Sequence, residues 1–142
     1  MTTQDQLTLL GGVARLIGAW YVFAGAVALN AWRVNAFLDQ ALGKLAFQPT
    51  DRIEQLRGWT ILAVGALTLM SGIFLILLSP LAPPAFLACC ALQGAYFAWA
   101  RKALPPKDEA GRRGRRASTN AFLFYLGATA FVLGCNLVGL FR

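Results

Sequence analysis

Charged side chains are missing from three long stretches of this chain, Leu16 to Trp32, Gly58 to Ala100 and Ala117 to Phe141. A helix rises about 1.5 Å per residue, so roughly 20 apolar residues cross a hydrocarbon core of about 30 Å. The middle stretch is long enough for two crossings and carries its own divider, Ser79-Pro80-Leu81-Ala82-Pro83-Pro84. Proline has no amide to donate inside a helix, and its ring clashes with the preceding turn. The pattern predicts four spans, near 14–32, 58–78, 84–100 and 119–141. Inner loops at 33–57 and 101–117 and an outer proline loop at 79–83 would join them.

A soluble four-helix bundle is the competing explanation. Its helices would show an apolar stripe opposite a polar face. The run from Ile61 to Leu78 has no polar face, and a chain of 142 residues has too little protein to bury it on every side. Leu16 to Gly25 could serve as the apolar core of a cleaved leader, with Ala26-Val27-Ala28 as its cleavage site. Such cleavage would leave three spans with the arginine-rich loop outside, against the positive-inside tendency. The first segment is therefore expected to be a retained span.

Between the first two spans, Val34, Phe37, Leu38, Ala41, Leu42 and Leu45 recur at the spacing of one helical stripe. This predicts a short amphipathic helix over 34–47, lying along the cytoplasmic membrane surface. Pro49 should end it, and Thr50 or Asp51, with Glu54, would cap a second helix starting near Arg52. Ser118 is the expected cap of the last helix. The fold expected is all-α: a single polytopic membrane domain of four spans plus that surface helix.

Composition agrees. Apolar residues make up 58% and charged residues 13%, against about 25% charged in soluble domains. That excludes a disordered chain and an ordinary soluble enzyme. Charge also orients the chain. Of 13 Lys and Arg residues, all but Arg15 and Arg142 fall in the two predicted inner loops. Basic residues stay on the cytoplasmic side of short loops, so both termini should lie outside, in a membrane such as a bacterial inner membrane. Trp32, Trp59 and Trp99 all adjoin basic residues at the inner boundary, where an indole suits the headgroup zone. Arg15 lies within reach of the outer headgroups by snorkelling.

The basic loop, with Arg101, Lys102, Arg112, Arg113, Arg115 and Arg116, invites a nucleic-acid reading. It has no aromatic residue for a base to stack on, and single-strand binders combine both features. Anchoring to anionic headgroups accounts for it more simply, at about 1 kcal/mol per basic residue.

Candidate chemistry is thin. The chain has no histidine and six carboxylates, and none of these carboxylates stands mid-span. Cys89, Cys90 and Cys135 fit no CxxC spacing; they could lie at similar depth, but cysteine is also a small apolar filler. No catalytic residue, metal site or cofactor is assigned. Intramembrane polar residues include Ser71, Tyr125 and Thr129, and those favoured for function are Thr68, Gln93 and Asn136. Small-x-x-x-small pairs such as Ala14/Gly18, Ala91/Ala95 and Ala130/Gly134 allow close helix contact. Leu7 to Val13, apolar beyond the first span, resembles surface awaiting a partner. The expected role is a non-enzymatic accessory or scaffolding subunit, partnered by the bilayer and by other membrane proteins. The alternative is a small homo-oligomeric channel or carrier for a neutral substrate, lined by Thr68, Gln93 and Asn136.

Overall fold

The computed structural model describes residues 2–46 and 52–141. They form four α-helices and no strand: α1 (Thr3–Ala46), α2 (Arg52–Ile76), α3 (Ala82–Ala103) and α4 (Glu109–Leu137). Three of these, α1, α2 and α4, are long and apolar enough to cross a membrane. The fourth expected span falls on α3, which has 22 residues and is not among these three. Pro83, Pro84, Gln93, Tyr96 and Trp99 dilute its apolar character.

The separate surface helix expected over 34–47 does not exist. Residues 34–46 continue α1, an unbroken helix of 44 residues and about 66 Å. No proline or capping residue interrupts the chain at Arg33, so nothing stops the ladder of backbone bonds there. The expected caps at Thr50 and Asp51, the break at Pro49 and the side chain of Leu45 lie outside the described residues. The described part of α2 starts at Arg52.

Helix α1 also starts well before residue 14. Thr2 caps it: its hydroxyl accepts from the Asp5 amide at 3.3 Å, and the Asp5 carboxylate accepts from the Thr2 amide at 2.9 Å. This reciprocal box satisfies two amides of the first turn. The same Thr2 hydroxyl, 2.7 Å from Asp5 Oδ2, holds that carboxyl below its ordinary pKa.

Two further boundaries move. Pro83 falls in the first turn of α3, where its missing amide would have no helical partner anyway, so α3 starts before 84. The basic loop shrinks to 104–108, because Asp108 caps α4 by accepting from Gly111 N at 2.7 Å. Ser118 is consequently mid-helix and caps nothing. The ends of α2 and α4 close alike. Ser79 N–H reaches Phe74 O at 2.9 Å and Leu140 N–H reaches Cys135 O at 3.0 Å, each with a left-handed residue before it, Leu78 (φ 49°) and Gly139 (φ 83°).

The helices run up and down. Gly18 faces Gly72 and Gly65 faces Leu29, so α1 and α2 are antiparallel; Cys90 faces Thr129 and Phe97 faces Phe122, so α3 and α4 are too. Gly11 meets both Leu78 and Leu140. The two ends of the chain therefore share one end of the bundle, and the α1–α2 and α3–α4 connections share the other. The core centres on Phe86, Leu75, Val132 and Cys89, all fully buried.

Candidate functional site: a buried polar seam

Small polar side chains from α2, α3 and α4 meet inside the bundle. Thr68 and Ser71 stand one turn apart on α2, Cys89, Cys90 and Gln93 follow α3, and Tyr125 and Thr129 share a face of α4. Each hydroxyl on a helix can return its hydrogen to a carbonyl of the preceding turn. Thr68 does so to Val64 O at 2.7 Å, Thr129 to Tyr125 O at 2.8 Å and Ser71 to Thr68 O at 2.8 Å.

Those bonds fix the direction of the rest. Ser71 has given up its hydrogen, so the Tyr125 hydroxyl donates to Ser71 Oγ at 2.9 Å. By the same reasoning the Cys90 thiol faces Thr129 Oγ1 at 3.1 Å and the Cys89 thiol faces Thr68 Oγ1 at 3.5 Å. Gln93 Nε2 donates to Cys89 Sγ at 3.3 Å. Among the described residues no buried side-chain N or O atom lacks a partner. The seam is closed on itself.

Above it sits an aromatic triad from three helices. Phe86 stacks on Tyr125 at 5.0 Å, and Tyr21 meets both edge-on, at 5.7 and 4.9 Å. Tyr21 is 8% exposed, whereas its neighbour Trp20 is 64% exposed.

Of the residues favoured from sequence, Thr68 and Gln93 come together through Cys89. Asn136 is exposed on α4 and takes no part. Ser71, Tyr125 and Thr129 complete the seam, and only the packing of α2 against α4 joins Ser71 to Tyr125. The cysteines are free thiols, and no three His, Cys, Asp or Glu residues gather among those described.

At the basic end, Arg112, Arg113 and Arg116 are exposed on the first turns of α4, with Arg113 beside Glu109 at 3.8 Å. Arg115 behaves differently. Its guanidinium donates to Leu104 O and, at 3.4 Å, to Ala100 O. These carbonyls end α3, where the helix dipole favours a cation. Arg101 and Lys102 remain exposed in the last turn of α3.

What this arrangement can do is hold three helices in one register. Tyr125→Phe removes the donor to Ser71, and the expected loss is about 0.6–1 kcal/mol, the worth of an interhelical hydrogen bond in lipid. Reversible unfolding in mixed micelles checks it; a loss beyond 2 kcal/mol would give the hydroxyl a larger role. The chain matches no known protein family, no curated protein and no solved structure.

Proposed function

We propose that this chain is a non-enzymatic, four-span accessory subunit that scaffolds or assembles a larger complex in a bacterial inner membrane, both termini outside. Chain ends sharing one end of the bundle suit an even number of crossings. The Arg33, Arg57, Arg101 and Arg112–Arg116 positions gather at the opposite end, which the positive-inside tendency assigns to the cytoplasm. Cys89 and Cys90 of α3 meet Thr68 of α2 and Thr129 of α4, which supports α3 as the fourth span despite its dilute apolar character.

One observation carries the subunit assignment. An apolar stripe on α1 runs through Leu16, Trp20, Phe23 and Val27 and continues past Arg33 as Val34, Phe37 and Leu42. Every one of these seven is at least half exposed, Leu16 at 74% and Phe37 at 71%. Lipid covers the first four. Beyond the boundary that Arg33 and Arg57 mark, water would face the others, and exposed apolar surface of this kind is what partner contacts cover. The hydroxyls and thiols that a carrier would offer its cargo are engaged with one another, so no observation favours transport.

Photo-crosslinking tests the assignment. A photoreactive side chain at position 37 or 42 should trap one discrete second polypeptide in native membranes, while the same group at Leu123 should give lipid adducts. Lipid adducts alone at 37 and 42, or only copies of this chain, would remove the proposal.

A further inference from the structure

A cavity of about 570 Å³ opens between the far part of α1 and the first turns of α2. Trp32 and Asp39 line it from α1, and Glu54, Arg57, Gly58 and Trp59 from α2. We propose that this cavity holds the zwitterionic headgroup of an aminophospholipid, its primary ammonium against Asp39 and Glu54 and its phosphate on Arg57. This inference needs α1 and α2 to cross a bilayer; it does not depend on the accessory role.

Charge is the first reason. This end of the bundle is rich in arginine, yet two of the six carboxylates of the chain converge on this one cavity. Among the described residues the ion pair is Glu109 with Arg113; no described base pairs with Asp39 or Glu54, and no described carboxylate pairs with Arg57. Cation and anion sites thus stand ready side by side, unneutralised by each other. Glu54 and Arg57 are three residues apart on a helix, which puts them on one face with about 5–6 Å between their Cβ atoms. A headgroup whose phosphate and ammonium are two carbons apart matches such a pair.

The aromatic walls give the second reason. An indole face attracts an ammonium ion, and Trp32 and Trp59 line the same cavity as the two carboxylates. Trp32 Nε1 lies 3.8 Å from where a side-chain carbon on Gly58 would stand, so the absent side chain of Gly58 leaves this wall open. The indole N–H groups of Trp32 and Trp59 can donate to phosphate or ester oxygens. Location is the third reason. Trp32, Arg33, Arg57 and Trp59 stand where the apolar run of α2 begins, at the depth of headgroups.

The chemistry discriminates among lipids. A primary ammonium has three hydrogens to donate to two carboxylates, which a trimethylated one cannot do. An anionic glycerol headgroup brings no cation and would face both carboxylates. Phosphatidylethanolamine should therefore be preferred over phosphatidylcholine and phosphatidylglycerol, although the net charge of +7 draws anionic lipid to the protein as a whole.

The test uses the full chain in lipid nanodiscs, with Trp20→Phe and Trp99→Phe so that only Trp32 and Trp59 emit. Brominated-tail lipids are titrated in. Brominated phosphatidylethanolamine should reach half-maximal quenching at about one-tenth the mole fraction that the choline or glycerol lipid requires. Asp39→Asn with Glu54→Gln should cut that tenfold preference below twofold at unchanged helicity. Arg57→Gln, at the phosphate position, should weaken the ethanolamine and choline lipids alike. Equal quenching by all three lipids would overturn the proposal, as would a preference that survives both sets of substitutions. Relief of quenching by soluble glycerophosphoethanolamine, with no lipid preference, would overturn it in favour of a water-borne solute.

Discussion

Gly72→Ile should separate α1 from α2 and lower the stability of the bundle by about 3 kcal/mol or more, the upper range for overpacking. The reason is how closely the two backbones approach. A side-chain carbon at Gly72 would stand 2.7 Å from Gly18 O and 2.7 Å from Val22 N; one at Gly18 would stand 2.8 Å from Gly72 O. At Gly25 it would meet Leu69 N at 2.6 Å. These obstacles are backbone atoms, which cannot rotate aside, so the helices themselves must move. In lipid such contact is what holds helices together, because acyl chains are as apolar as the side chains they replace. Gly127 and Gly134 have open space where a side chain would stand. Alanine there should be neutral or stabilising by up to about 1 kcal/mol through helix propensity. Reversible unfolding in mixed micelles reads both. A Gly72→Ile protein as stable as the Gly127→Ala protein would show that the α1–α2 contact is not the one described.

The second large effect is expected at Phe86. It is fully buried and joins α3 to the rings of Tyr21 and Tyr125. Phe86→Ala should cost about 3–5 kcal/mol, as large-to-small changes at buried aromatics do. Part of that reflects hydrophobic transfer, which lipid weakens, so the lower end applies and the loss is mainly of dispersion contacts around a cavity. Phe86→Leu should recover roughly half by filling part of the space. The same unfolding measurement decides, and a loss below 1 kcal/mol for the alanine variant would mean that the triad does not hold α1 to the α3–α4 pair.

Both predictions rest on features that the chain alone displays poorly. The four-residue small pairs drawn from sequence include Gly18 but not Gly25, Gly65 or Gly72. The glycines in closest contact lie seven apart on each helix, at 18 and 25 and at 65 and 72. Seven is the repeat of a left-handed helix pair, but glycine is too common in this chain for the spacing to stand out. Phe86 and Tyr125 are 39 positions apart, and no periodicity relates them. Thr68 and Gln93 were legible as intramembrane polar residues; that Cys89 lies between them was not. The Thr2-x-x-Asp5 box was readable from local spacing, but it sits outside the apolar run on which the spans were drawn. The same bias set the start of α4 at Ser118, although Asp108 with an amide three residues on is an ordinary cap.

What the sequence determined by itself is a set of helices of which three are long and apolar enough to cross a membrane. Blank stretches without charge, bounded by arginine and tryptophan, fix the helical class and the apolar lengths, because in hydrocarbon each segment must satisfy its backbone internally. The tertiary structure decided the rest: that Gly18, Gly25 and Gly72 set the α1–α2 approach, that Arg115 turns to the end of α3, and that Asp39, Glu54 and Arg57 line one cavity. Each depends on which residues of different helices come to the same height. That is a matter of side-chain volume and packing across the bundle, and periodicity along one helix carries no information about its neighbour.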